Sequence, residues 1–307
     1  MDFTALIKKS FSFAWNNRIL WIFGLLSGGV SGAGSMNPGG FNFTFPDSST
    51  EGSSEKVQGI SKVLGASDFN TGFLTNDMFV VLVLLFVLIA LLVLIFAVFV
   101  TNWAGAGLVY SILDRDNRRP TFKIGGNAGL KYWWRYFKIS LIFFAAVIAV
   151  LAMLAIPVGL LFLSRMEVFA IVALIVAGII FLVFIFSIAI LGSLVITLAQ
   201  RIAIHKEKGA LESIRISGGL IKKNLGEVAL TWLVAAGVSF GAGFAAIIAL
   251  LPIGVVIFVL FLINIWFGLI AVIPAMAIGF AAAGFWNAVM ATYWTLFYEH
   301  LAAKEGW

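Results

Sequence analysis

Two histidines and the carboxylates beside them are the first place to look for chemistry. His205 precedes Lys206-Glu207, and His300 directly follows Glu299. Brought together, two imidazoles and two carboxylates could ligate zinc or relay a proton. No local ligand spacing such as H-x-x-x-H supports that reading, so solvated helix ends are the expectation and no metal or cofactor is assigned. The chain has no cysteine, which removes thiolate nucleophiles, cysteine metal sites and a disulfide frame. It has no H-E-x-x-H, G-x-S-x-G, P-loop or paired-aspartate motif either. No nucleophile, base and orienting group can be assembled, so no catalytic residue is assigned and a non-enzymatic protein is expected.

A second pattern is physically stronger. "KYWWRYFK" sets Lys131, Arg135 and Lys138 among Tyr132, Trp133, Trp134 and Tyr136, and Lys123 stands two turns upstream. Aromatic rings and cations together suit the headgroup layer of a bilayer, with rings at the interface and cations on anionic phosphates. "ALESIRISGGLIKKNLGEV" offers Arg215, Lys222 and Lys223 in the same role. These nine residues (Lys123, Lys131, Trp133, Trp134, Arg135, Lys138, Arg215, Lys222, Lys223) are the candidate lipid-headgroup contacts. A plain anchoring role is the alternative reading. The net charge of +6 is concentrated in short basic loops and does not point to nucleic acid.

The elements that must carry these residues are membrane helices. The apolar share is 62 % and the charged share 11 %, against about 25 % charged in a soluble domain. Uncharged runs extend from Met78 to Leu113, Ile139 to Ser164, Val168 to Gln200 and Val228 to Tyr298. Each exceeds the roughly 20 residues one spanning helix needs, and the last must fold back. The runs do not alternate, which argues against a β-barrel. Residues 114–138 carry seven basic against two acidic side chains, and 201–227 carry six against three. The loop at 31–76 is acidic by comparison. The positive-inside rule then puts the basic segments and both termini in the cytoplasm, which requires an even number of spans, and six fits.

A shift of 95 residues lays Pro157-Val158-Gly159 on Pro252-Ile253-Gly254, Thr197 on Thr292 and His205 on His300. This suggests duplication. Trp15-Asn16-Asn17-Arg18 stands where Tyr132-Trp133-Trp134-Arg135 stand, so a third copy is expected at the N-terminus, whose signal-like segment is retained. The architecture expected is all-α: six transmembrane helices as three hairpins, each preceded by a cytoplasmic-side interfacial amphipathic helix. One membrane domain, 1–307, would comprise hairpin unit 1 (1–116, outer loop 31–76), unit 2 (117–208) and unit 3 (209–307). The Pro-x-Gly should bend the outer helix ends. The outer turn of unit 3 should fall near Leu262 to Trp266. The apolar stripe Leu211, Ile214, Gly218, Ile221 and Leu225 should define the third interfacial helix. G-x-x-x-G pairs at Gly24, Gly125 and Gly237 should mark close helix approach.

The segments "KKSFSFAWNNRILWIFGLL", "KYWWRYFK" and "FWNAVMATYWTLFYEHL", with a Gly/Asn/Phe-rich loop, resemble uncharacterised bacterial and archaeal polytopic proteins related to the membrane domain of glycerophosphodiester phosphodiesterases. The resemblance implies a prokaryotic plasma membrane location. Catalysis in that group belongs to a separate soluble barrel, so no activity transfers. The function expected is a lipid-interacting or partner-supporting membrane scaffold, its partners being anionic membrane lipids and a protein partner where one exists. The rival is a transporter or channel for a neutral or lipid-like solute, with Asn102, Asn264 and Asn287 along its path. An intramembrane enzyme using the two histidines is the third reading.

Overall fold

The structure is a computed structural model that describes residues 2–28, 76–163 and 167–307. Every regular element among these residues is a helix: α1 (Phe3–Asn16), α2 (Ile19–Gly28), α3 (Asn76–Leu113), α4 (Phe122–Leu163), α5 (Glu167–His205), α6 (Ala210–Lys223), α7 (Leu225–Ile263) and α8 (Ile265–Lys304). The body of the expected outer loop lies outside the described residues, as does the turn after α4.

Short polar residues set the helix ends. Asp2 Oδ1 accepts the backbone N–H groups of Thr4 and Ala5 at 2.9 and 3.2 Å, satisfying two free donors at the start of α1. The helix stops at Asn17, where φ −121° and ψ 71° leave the helical region and the side-chain amide donates to the Phe13 carbonyl at 2.8 Å. Asn224 ends α6 in the same way, with φ −123°, ψ 34° and its amide donating to the Leu220 carbonyl at 3.2 Å. Between α7 and α8 the break is Asn264 alone. Its backbone is extended, and its Oδ1 accepts the Trp266 N–H at 2.9 Å.

The chain divides into two compact units, 42–97 and the remainder. In the smaller unit, residues 81–96 of α3 are apolar and turned outward, with Phe86 73 % exposed. The larger unit is built around α8. Helices α1, α2 and α7 pack on α8, α4 packs on α5, and α6 lies against α4 and α5. Its main core joins Leu198 and Ile202 of α5, Leu220 and Ile221 of α6, Val228 of α7 and Tyr293, Phe297 and Leu301 of α8. Beyond that core, α7 and the first half of α8 carry large apolar side chains outward, as at Phe240, Phe244, Leu262 and Trp266. Such a continuous apolar surface calls for lipid around it. Among the described residues, four helices are long and apolar enough to cross a membrane: Val81–Leu113, Phe122–Val150, Leu225–Ile263 and Ile265–Lys304. The chain is therefore an all-α protein suited to a bilayer.

One expectation changes. The second amphipathic segment is not a separate helix: α4 runs unbroken for 42 residues, about 63 Å. Where α1 and α6 end on an asparagine, the aligned position in α4 is Trp134, which offers no short amide to cap a stop. The helix α7 continues through Pro252, which sits in its interior. On α6 the inward residues are Ser213, Ser217, Leu220 and Ile221, while Leu211 points outward.

Glycines explain the closest crossings. A Cβ at Gly24 would lie 2.3 Å from the Gly284 carbonyl, and one at Gly129 2.5 Å from the Trp103 carbonyl. Bare glycine lets the backbones of α2 and α8, and of α3 and α4, nearly touch. At Gly237 and Gly241 an added Cβ would meet nothing within 4 Å, so that pair marks no approach.

Candidate functional site

The polar ends of the larger unit are tied to one another. Arg115, just beyond α3, grips Glu299 of α8 with two parallel bonds of 2.6 Å, both partners largely buried. The Glu299 hydrogen bonds, opposed by burial, hold this guanidinium more firmly protonated than usual. Lys131 of α4 reaches Glu207, beyond α5, at 2.6 Å. Lys223 of α6 pairs with Glu305 at 2.6 Å, and Lys304 of α8 pairs with Glu227 of α7 at 2.9 Å. His205 Nδ1 lies 2.9 Å from the Tyr298 hydroxyl. These contacts bring the ends of α3, α5, α6 and α8 and the starts of α4 and α7 to one polar rim.

Glu207 is held from two sides, since the Tyr132 hydroxyl donates to the same oxygen as Lys131. Lys131 first and Tyr132 second keep its carboxyl below the usual carboxylate range. Its φ of 51° places a non-glycine residue in the left-handed region, a strained choice that these two bonds maintain.

The histidines and carboxylates weighed for metal chemistry go to different partners. His205 meets Tyr298, His300 lies 3.9 Å from Glu227, Glu207 takes Lys131 and Glu299 takes Arg115. Among the described residues no three His, Asp or Glu side chains gather in a way that could hold a metal ion. The asparagines of the transport reading are also engaged, two of them on a single helix and one between helices. Asn102 donates to the Val98 carbonyl of its own helix, Asn264 caps α8, and Asn287 donates to the Gly24 carbonyl at 3.1 Å.

The headgroup candidates divide into separate settings. Lys123 and Lys131 share a face of α4. Trp133 is half-buried, 5.1 Å from the Phe99 ring, while Trp134 is exposed, stacks on Phe137 and has Lys138 Nζ 5.2 Å above it. The Arg135 guanidinium lies 5.6 Å over the Tyr132 ring. Arg215 and Lys222 are exposed on α6 and form no ion pair among the described residues, whereas Lys223 is occupied by Glu305.

One residue was hidden from sequence reasoning. Arg201 counts among the basic loop residues by charge alone, yet it is only 4 % exposed within α5. Its Nε donates to Thr295 Oγ1 at 3.1 Å, Nη1 to the Thr197 carbonyl at 2.6 Å and Nη2 to the Ala291 carbonyl at 3.1 Å. No carboxylate joins it among the described residues. Its spacing of three and seven residues from Leu198 and Leu194, both buried, was the available signal.

Among the described residues, two cavities stand out. One, of about 350 Å³, is lined by Arg118, Lys123, Asn127 and Lys131 with Tyr110 and Tyr132. The other is a wider groove of about 610 Å³ on α1 between Ile7, Lys8, Phe11 and Trp15.

Apolar helices fit to cross a bilayer, closed at one end by a rim of cations and aromatic rings, define an integral membrane protein of the all-α class. Residues 13–302 match a family of unknown function, DUF7544, and the chain belongs to that family. Nothing among curated proteins or solved structures matches it.

Proposed function

We propose that this is a non-enzymatic, six-span membrane protein whose cytoplasmic rim holds anionic lipids, organising the lipid phase or supporting a partner complex. The carrying observation is that Lys123, Arg215 and Lys222 are exposed with no ion pair among the described residues, while Lys138 Nζ stands 5.2 Å above the exposed ring of Trp134. Unsatisfied cations next to interfacial aromatic side chains favour phosphate headgroups. In this reading α4 with α5, and α7 with α8, are the second and third hairpins of a triplicated unit, set in a bacterial or archaeal plasma membrane with both termini inside. The matched asparagine stops after α1 and α6 support the repeat. The resemblance to the membrane domain of glycerophosphodiester phosphodiesterases belongs to the same proposal and brings no catalytic role. The transporter reading has less support, because Asn102 and Asn264 each satisfy a bond on a single helix and Asn287 is engaged between α8 and α2.

The test is lipid retention by the whole chain in nanodiscs of mixed zwitterionic and anionic lipid, read by native mass spectrometry. Anionic lipid should be enriched in the retained shell, and a Lys123→Gln, Arg215→Gln, Lys222→Gln triple variant should lose most of that enrichment. Wild-type protein that retains both lipids in their bulk ratio contradicts the proposal.

A further inference from the structure

We infer that the cavity between the α3–α4 connection and the first turns of α4 is a discrete site for one phosphate group. The inference rests on the lipid-rim reading and narrows it to a single place with its own ligand set. Three features converge there. Arg118 and Lys123 stand at the cavity wall, and neither side chain has an ion pair or hydrogen bond among the described residues. Lys131 adds a third cation, its charge shared with Glu207. The cavity also opens beside the N-terminal turns of a 42-residue helix, where the backbone dipole favours an anion.

The rest of the lining suits a phosphate rather than a bare halide or carboxylate. Asn127 offers an amide donor one turn from both Lys123 and Lys131. The rings of Tyr110 and Tyr132 stack at 5.9 Å to form the apolar wall. A volume of about 350 Å³ sits at the small end of ligand pockets, enough for a phosphate with a short polar substituent. Outside the cavity, Phe122 and Leu130 are about half exposed. They offer an apolar landing for acyl chains once the phosphate is seated, which makes a phospholipid headgroup the favoured source over a soluble phosphate ester.

The experiment uses the full chain in phosphatidylcholine nanodiscs with phosphatidic acid as the lipid probe, and inorganic phosphate and glycerol 3-phosphate as soluble probes. An Arg118→Gln, Lys123→Gln variant should weaken phosphatidic acid retention about tenfold or more, as expected for two lost charge-assisted contacts. A Lys9→Gln, Arg18→Gln variant removes the same charge from the N-terminal segment, at exposed residues away from the cavity, and should change retention less than about twofold. The charge-retaining Arg118→Lys, Lys123→Arg variant should hold the lipid nearly as wild type, which separates ligand loss from misfolding. If millimolar phosphate or glycerol 3-phosphate displaces the lipid and binds alone with equal strength, the site stands with a soluble ester as its ligand. Resistance to displacement identifies the lipid. Equal losses in the two glutamine variants overturn the discrete site while leaving the rim proposal standing. Failure of wild-type protein to enrich any anionic lipid overturns both.

Discussion

The crossing of α2 on α8 gives the sharpest stability prediction. In Gly24→Ala the new methyl would sit 2.3 Å from the Gly284 carbonyl oxygen and 3.0 Å from the Ala288 nitrogen, where ordinary contact begins at 3.4 Å. Both obstacles are backbone, so the helices must part by up to about 1 Å. Overpacking of this kind costs about 1–3 kcal/mol. Parting also strains the Asn287 bond to the Gly24 carbonyl, worth about 1 kcal/mol more. The sum, about 2–4 kcal/mol, corresponds to a drop in melting temperature of roughly 4–16 °C for a domain of this size. Tryptophan emission of the detergent-solubilised protein would follow the transition, because Trp21 and Trp286 lie in the helices that cross. Gly284→Ala, whose methyl would fall 2.4 Å from the Trp21 carbonyl, should behave alike. Gly237→Ala meets open space and should change stability by less than about 1 kcal/mol, with helix propensity acting in its favour. If Gly24→Ala and Gly237→Ala melt together, the close crossing is refuted.

Two further outcomes follow from the rim. Glu299→Gln removes the charge from the paired grip on Arg115 and should destabilise by about 1.5–3 kcal/mol, with Arg115→Met adding little on top, as a double-mutant cycle of melting temperatures would register. Glu207 has a depressed carboxyl, so its contribution is complete above the ordinary value of 4.5 and fades as pH falls below it. Hydrogen-exchange protection at 206–208, corrected for the intrinsic pH dependence of amide exchange, should therefore fall under acid in wild type but not in Glu207→Gln, and a pH-independent difference between the two would contradict the assigned pairing.

The helices and their polar rim were legible because both follow from coarse physics. Long uncharged runs can only be helices in lipid, and the lone polar residue in Leu262–Trp266 is the place where α7 gives way to α8. What escaped depended on which surface an apolar side chain seeks. In water an apolar stripe points to the core. In lipid it can equally face outward, so Leu211 and Leu130 are exposed while Ser213 and Ser217 are buried where helices press together. Charge counting likewise placed Arg201 in a loop. Its partners are a hydroxyl and two backbone carbonyls, which carry no signature in composition. The continuity of α4 escaped for a related reason: a tryptophan stands at the aligned stop, and aromatic enrichment at an interface looks the same whether the helix ends or continues.

Because the chain has no cysteine, single introduced thiols report membrane sidedness directly. Lys9→Cys, Lys123→Cys, Lys222→Cys and Ala303→Cys should all react with a membrane-impermeant maleimide from the cytoplasmic face only, and Asn264→Cys from the opposite face only. Labelling of Lys123→Cys and Lys222→Cys from opposite faces would contradict the common basic rim on which the account rests.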